Sequence, residues 1–266
     1  MYSLDELSKS GVLLYLRQMN LSFEVPDLLE IHFKEFCDDQ GATFEKIRNY
    51  FKEGLIAIRS SAPDEDGAQA SMAGMFESFL NVDVCDAAEV ISKVDAAFKS
   101  YENKNSRVSG SHIFIQKMVT DVAVSGVAFS RDLNSFGPYF VINYDDVSGN
   151  TASVTSGNGK EANKLLCVHR EKVRYLKSPR FTNLLLAIIE LEKVFYCNRL
   201  DVEFAIDHED RLYILQVRKL VDGVVNSQNS DAKLLEILDS NYNSLSREYD
   251  ENKCEGSETT LFKHNF

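Results

Sequence analysis

Residues 201–218 read Asp201-Val-Glu203-Phe-Ala-Ile-Asp-His-Glu-Asp-Arg-Leu-Tyr-Ile-Leu-Gln216-Val-Arg218. Two short apolar runs, Asp201–Ile206 and Leu212–Arg218, flank the polar turn Asp207-His208-Glu209-Asp210, the pattern of a β-hairpin. Alternation puts Asp201, Glu203 and Ala205 on one face of the first strand. On the second strand it groups Gln216 and Arg218 with Ile214. A carboxylate, an amide oxygen and a guanidinium can therefore converge across the paired strands. Hard oxygens beside a phosphate-binding cation suit Mg²⁺–ATP. An exposed, salt-bridged strand face is the commoner use of such residues. Against that use, Gln216 sits inside the apolar run Leu212–Val217, where a bare amide is costly.

A second stretch lies upstream, Ile56-Ala-Ile-Arg59-Ser-Ser-Ala-Pro-Asp-Glu-Asp-Gly-Ala-Gln-Ala-Ser71-Met-Ala-Gly74-Met-Phe-Glu77-Ser-Phe-Leu-Asn-Val82. A strand ends on an arginine, opens into a long loop of small and polar residues, and returns as the strand-like Glu77–Val82. An arginine at a strand end can offer a rigid fork to phosphate oxygens. Small residues from Ser71 to Gly74 can approach a polyphosphate closely and present backbone N–H groups to it. A surface loop with a solvated arginine fits the local spacing about equally well.

Around these stretches the pattern predicts a helix over 4–20, a second helix around 28–53, a buried strand at Leu55–Ile58 and a helix over 86–103. From 112 onward the period changes to β, with runs at His112–Val119, Gly126–Phe129 and Tyr139–Tyr144 split by Gly, Asp and Asn turns. An apolar helix is expected over 181–197. Residues 222–266 are rich in Asn, Ser, Asp and Glu and are expected to be a linker or tail.

The chain has 266 residues, 44% hydrophobic and 26% charged, with a net charge of −12. That length suits two lobes, and the acidic field disfavours nucleic acid and anionic membranes as partners. An acidic protein still binds ATP where a few Lys and Arg converge and Mg²⁺ bridges phosphates to carboxylates. The cysteines Cys37, Cys85, Cys167, Cys197 and Cys254 show neither paired nor metal-type spacing. The charged, helix-patterned N-terminus is unlike a signal peptide, and no run is long enough for a membrane span. A cytoplasmic protein is expected.

The quoted residues carry a resemblance to a known family. Arg59-Ser-Ser-Ala through Leu80-Asn-Val82 resembles "RSSA…ED…AS.AG..E.FLNV", a signature of the ATP-grasp domain of phosphoenolpyruvate synthase and pyruvate phosphate dikinase. Ile113-Phe-Ile-Gln-Lys-Met-Val119 is similar to the family's "VQ.MV", Ser125-Gly-Val-Ala-Phe-Ser-Arg-Asp132 to "SGVAFTRDP", and the hairpin to "D.E.A.D…LYILQ.R". The order matches, and the resemblance runs from about Leu7 to Arg218. It implies an α+β ATP-grasp fold, with two α/β lobes, mixed or antiparallel sheets and the nucleotide between them. The lobes would span 1–110 and 111–221, and 222–266 would lead toward a histidine domain absent from this chain.

The resemblance also implies roles. Lys9, Arg59 and Arg218 would hold phosphates, Glu203 and Gln216 would ligate Mg²⁺, and Asp201 would support them. Ser71 and Gly74 would lie along the phosphates. Gln116, Lys117, Met118 and Val119 would line the adenine, and Arg131 would stand near the nucleotide. At the N-terminus the glycines that flank the family's lysine are partly lost around Lys9, where a solvated helix lysine is the alternative. Leu133 replaces the proline that follows Arg131-Asp132 in the family.

Family members relay phosphate through a histidine on a separate domain. Gly110-Ser111-His112 echoes that motif superficially but lacks its glycine pair and runs straight into a strand. Residues 139–157 look more like the capsule-related branch, such as the bacterial glutamine kinase, than like the synthase. The expected activity is therefore phosphotransfer from ATP, through a phosphohistidine on another domain, to a small acceptor such as L-glutamine. Rival readings are a synthase-like or antibiotic phosphotransferase domain, a nucleotide-binding module without turnover, and a complete kinase acting directly on a small molecule.

Overall fold

Apolar and β-branched runs broken by polar turns become nine strands and five helices in the computed structural model, which describes residues 2–61, 78–102, 111–133, 135–147 and 164–220. In chain order they are α1 (Lys9–Arg17), β1 (Leu28–His32), α2 (Phe33–Asp38), α3 (Gln40–Phe51), β2 (Leu55–Ser60), β3 (Phe79–Asp83) and α4 (Ala87–Glu102). There follow β4 (His112–Lys117), β5 (Val122–Phe129), β6 (Tyr139–Asp145), β7 (Lys164–His169), α5 (Pro179–Phe195), β8 (Leu200–Asp207) and β9 (Leu212–Lys219).

The strands form two antiparallel sheets, ordered β1-β4-β2-β3 and β7-β6-β5-β8-β9. This is the α+β, two-lobed, antiparallel architecture expected from the sequence. One face of the first sheet buries Ile31, Ile56, Ile58, Ile113 and Ile115 against Phe44, Ile47, Val94 and Phe98 of α3 and α4. One face of the second sheet buries Phe140, Ile142, Val202, Phe204 and Val217 against Leu184, Leu185, Ile188 and Leu191 of α5.

Helix α1 joins the lobes. Val12 and Leu16 belong to the core of the second sheet, while Leu13 packs with Leu28 and Phe114 of the first. Glu24 continues the connection by pairing beside β9: its N–H donates to Leu212 O at 2.8 Å, and its carbonyl accepts from Ile214 N at 2.9 Å. The lobe division expected at 110/111 falls just before β4, whose partners β1 and β2 lie in the first sheet.

Three local expectations are corrected. The predicted helix over 28–53 begins with a strand, because Leu28 and Ile31 are buried by pairing with β4, which overrides helical periodicity. Asp39 then starts α3 afresh, its carboxylate accepting from Ala42 N at 2.9 Å. The predicted helix over 4–20 is interrupted at Ser8, whose hydroxyl accepts from Gly11 N at 3.1 Å and starts α1 at Lys9. Strand β7 has no counterpart among the sequence predictions. The predicted stretch 222–266 lies outside the described residues.

The hairpin β8–β9 carries a bulge. Glu203 faces Gln216 but Phe204 faces Ile214, so Leu215 is the extra residue. Ile214 consequently turns into the core with Phe204, not onto the face of Gln216 and Arg218 as simple alternation predicted. Close approach matters in the neighbouring strand too. Gly126 faces Tyr144, and a Cβ there would lie 2.2 Å from the Asn143 carbonyl oxygen.

Candidate functional site

On the open face of the hairpin, strand register sets Glu203 opposite Gln216 and Asp201 opposite Arg218. Arg218 Nη2 donates to Asp201 Oδ2 at 2.9 Å and stands 3.9 Å from Glu203 Oε1. The four side chains come from two directly bonded strands, so backbone register alone fixes their spacing.

From the other lobe, Arg59 near the end of β2 reaches into the same group. Its Nη1 donates to Glu203 Oε2 at 3.2 Å and to Gln216 Oε1 at 3.4 Å. The Arg59 and Glu203 side chains are only 13% and 12% exposed, so the pair is sheltered from the solvent that weakens surface ion pairs. Among the described residues, Arg59 Nε is buried with no hydrogen-bond partner. A buried donor left over on a guanidinium fork is the kind of group a phosphate oxygen satisfies. The lobes are also bridged by Gln116, which is 2% exposed and whose Nε2 donates to the carbonyl of the bulged Leu215 at 3.4 Å.

The oxygens of Glu203 and Gln216 converge on one cation, the guanidinium, with the Asp201 carboxylate beside them. The Glu203 carboxylate and the Gln216 amide are hard oxygens of the kind a divalent ion takes when phosphates and water complete its shell. Among the described residues no cluster of three or more His, Cys, Asp or Glu is arranged as a self-sufficient metal cage.

The remaining sequence-predicted residues are placed as follows. Lys9 is the first residue of α1. Its neighbour Ser10 lies 3.0 Å, oxygen to oxygen, from Ser61, two residues beyond Arg59. Lys117 N donates to Asp27 O at 2.8 Å and Met118 N to Leu55 O at 2.9 Å, so neither N–H can read a base edge. Val119 packs against Val122, Ala205 and Leu215. Arg131 is 6% exposed and its Nε donates to Asn198 O at 3.3 Å, at the turn between α5 and β8. A shallow concavity of about 460 Å³ opens beside that turn, lined by Glu192, Tyr196, Cys197, Asn198, Arg199 and Lys219. Its one carboxylate, Glu192, is paired with Arg170, and the concavity is separate from the Arg59 group. Ser71 and Gly74 lie outside the described residues.

Sequence reasoning named Gln116 for the base but missed its bridge to Leu215. An amide set between isoleucines and a lysine at the end of a buried strand was the available signal, since such a group has to find a partner.

Comparison with known proteins places the chain in a family. The family model described as pyruvate phosphate dikinase, AMP/ATP-binding domain, matches residues 3–157. The phosphoenolpyruvate synthase of Deinococcus radiodurans is 40% identical over 92 residues, 30% of this chain and 12% of that protein. The prodigiosin synthesizing transferase PigC of Serratia marcescens is 30% identical over 124 residues, 44% of this chain and 12% of that one. The chain thus spans about an eighth of the length of these curated relatives. Among solved structures, D-alanine-D-alanine ligase from Helicobacter pylori superposes with a TM-score of 0.48 at 13% identity, over 81% of this chain and 54% of that one.

Proposed function

The chain belongs to the pyruvate phosphate dikinase AMP/ATP-binding domain family, and from that premise we propose that the Arg59–Glu203–Gln216 group is where it holds the phosphates of Mg²⁺–ATP. The observation that carries this reading is the sheltered contact of Arg59 with two oxygen ligands from the opposite lobe, with the buried Arg59 Nε left over. In the proposed complex Arg59 and Arg218 take phosphate oxygens, with Lys9 at the start of α1 as a third cation. Glu203 and Gln216 hold the metal and Asp201 orients Arg218. Bound there, Mg²⁺ would supply charge neutralisation on the phosphates. The chain's own residues supply position, which is the larger part of phosphoryl transfer.

The proposed acceptor of the phosphoryl group is a histidine on another domain of the same enzyme, which passes it to a small molecule. L-Glutamine is the first candidate and pyruvate the second, following residues 139–157. A capsule-related role goes with the glutamine candidate. Among the described residues no helix is long and apolar enough to cross a membrane.

Calorimetry of the chain with ATP, with and without Mg²⁺, tests the reading. The expected result is binding that Mg²⁺ strengthens. A folded sample that gives neither heat nor thermal shift with ATP would overturn it. Transfer is expected only when the remaining domains are supplied, and rapid phosphorylation of a small acceptor by this chain alone would replace the relay with a direct kinase.

A further inference from the structure

Next to Lys9 and Arg59 along the chain lies a buried polar junction that the proposed function does not use. Ser10, on the first turn of α1, is fully buried. Its hydroxyl lies 2.6 Å from Glu30 Oε1, 3.0 Å from Ser61 Oγ, 3.0 Å from His112 Nε2 and 3.1 Å from Ser8 Oγ. Its N–H also donates to Ser61 Oγ at 3.4 Å. Ser61 N in turn donates to Tyr101 OH at 2.6 Å, and that hydroxyl donates to His112 O at 3.0 Å. One hydroxyl thus ties together α1, β1, the end of β2 and the start of β4, with α4 bracing the junction through Tyr101.

The hydrogen-bond roles follow from donor counting. Ser10 has one hydroxyl proton, and the short contact to an acceptor-only carboxylate gives it to Glu30. Ser10 Oγ then accepts from His112 Nε2–H, which requires the Nε2-protonated imidazole. Among the described residues, the groups facing His112 are Glu30 and His32 on β1, Ser10 on α1 and the Tyr101 hydroxyl at its carbonyl; its ring lies 5.7 Å from that of His32. Burial lowers the His112 pKa, Glu30 pulling it up and His32 pushing it further down. Neutral His112 is thus favoured by the fold at neutral pH, and its Nε2-protonated tautomer is the one that donates to Ser10.

The junction adjoins, along the chain, the two cations of the proposed site that lie outside the hairpin. Lys9 precedes Ser10 by one residue, and Arg59 precedes Ser61 by two. A change of a few tenths of an ångström at the Ser10–Ser61 contact moves the start of α1 against the end of β2, and with it the span between the two cations. We infer that Ser10, held by Glu30, Ser61 and His112, is a positioning residue that sets the spacing of Lys9 and Arg59 for a nucleotide polyphosphate. This inference rests on the reading of Lys9 and Arg59 as phosphate ligands.

The test is ATP affinity by calorimetry, at a temperature where each variant is folded by circular dichroism. Ser10→Ala and Ser61→Ala are expected to weaken ATP binding at least tenfold, and His112→Ala by a similar factor. His112→Gln, whose amide can still donate to Ser10, is expected to recover most of the affinity. That recovery by the conservative variant separates positioning from general support. Should Ser10→Ala fail to fold, Ser61→Ala decides, since it breaks the same contact from the other side. Folded variants with wild-type ATP affinity, or His112→Gln no better than His112→Ala, would overturn the inference while leaving the nucleotide site intact. A wild-type chain that binds no ATP would overturn both.

Discussion

In the second sheet the four charged and amide side chains of the site sit on one hairpin. In the first sheet, the junction next to Arg59 and Lys9 is assembled from stretches far apart in sequence. Glu203 and Gln216 are opposed by strand register; Ser10 meets Ser61 across 51 residues and His112 across 102. The contrast teaches where each half of the site gets its precision. A hairpin holds its face through backbone hydrogen bonds, so its geometry survives single side-chain changes. A junction made by one buried hydroxyl depends on every partner staying in place. Arg59 joins the halves, reaching Glu203 across 144 residues.

The strongest way to break the hairpin side is from behind, at the strand that supports it. Gly126 on β5 is followed directly by Val127, the partner of Glu203, and a Cβ at 126 would meet the Asn143 carbonyl oxygen at 2.2 Å and Tyr144 Cα at 2.9 Å. Backbone atoms cannot swing aside as a side chain can. Gly126→Ala is expected to destabilise the chain by about 3 kcal/mol or more, read from urea unfolding. A loss under ~1 kcal/mol would show that the two strands separate easily.

Next comes the link between the halves. Arg59→Ala and Glu203→Ala should each weaken ATP binding by about 1.5–3 kcal/mol, the size of a charge-assisted hydrogen bond, without unfolding the protein. Made together, the two changes should cost less than the sum of the single losses, because each single variant already breaks the same contact between the lobes. Strict additivity in calorimetry would mean that the two residues act on the nucleotide independently.

The hairpin half was largely legible in the sequence, because two apolar runs and a polar turn place Asp201, Glu203, Gln216 and Arg218 by alternation alone. What alternation could not show was the bulge at Leu215, which turned Ile214 to the core; one extra residue has no compositional mark. The junction half was not legible. Residues 28–32 read as the start of a helix because Leu28, Leu29 and Ile31 satisfy either period, and only pairing with β4 decides. In the sequence His112 shows only a false echo of a phosphohistidine motif, and Ser10 shows no signal of its own. Their contact exists because tertiary packing brings α1 over the end of β2, a fact with no local signature. Strand β7 was missed for a related reason: Lys164–His169 is a mostly exposed sheet edge, pairing with β6 alone.

A smaller effect is expected at the turn that closes the hairpin. Asp207 Oδ1 accepts from Glu209 N at 2.9 Å and Arg211 N at 3.0 Å, and Oδ2 from Arg211 Nε at 2.7 Å and Tyr213 OH at 3.3 Å. Burial pushes the Asp207 carboxyl pKa up, but the Arg211 side chain and the two backbone N–H groups outweigh it, and the net shift is down. The folded state therefore favours the carboxylate. Its contribution is present above the ordinary aspartate pKa of about 3.9 and is lost as pH falls through the lower folded value. Asp207→Ala should cost about 1–2 kcal/mol at neutral pH, and the cost should shrink in acid. A penalty that stays constant down to pH 2 would show that packing, not charge, holds the turn.

The smallest effect sharpens the comparison from the junction side. Arg17 at the end of α1 meets Asp27 just before β1 at 2.5 Å, but the two side chains are 31% and 53% exposed. Solvent and salt screen such a pair, and ordering two side chains offsets much of the attraction. The backbone link at the same residue, Lys117 N to Asp27 O at 2.8 Å, does not depend on the carboxylate. Asp27→Asn removes the charge and keeps that link, so the expected change in unfolding free energy is at most about 0.5 kcal/mol, and it should vanish in concentrated salt. Ser10→Ala deletes one buried oxygen on the same helix and should outweigh it in ATP affinity. If Asp27→Asn weakens nucleotide binding as much as Ser10→Ala, then α1 is steered by its exposed charge. The buried junction would then lose its special role in placing Lys9.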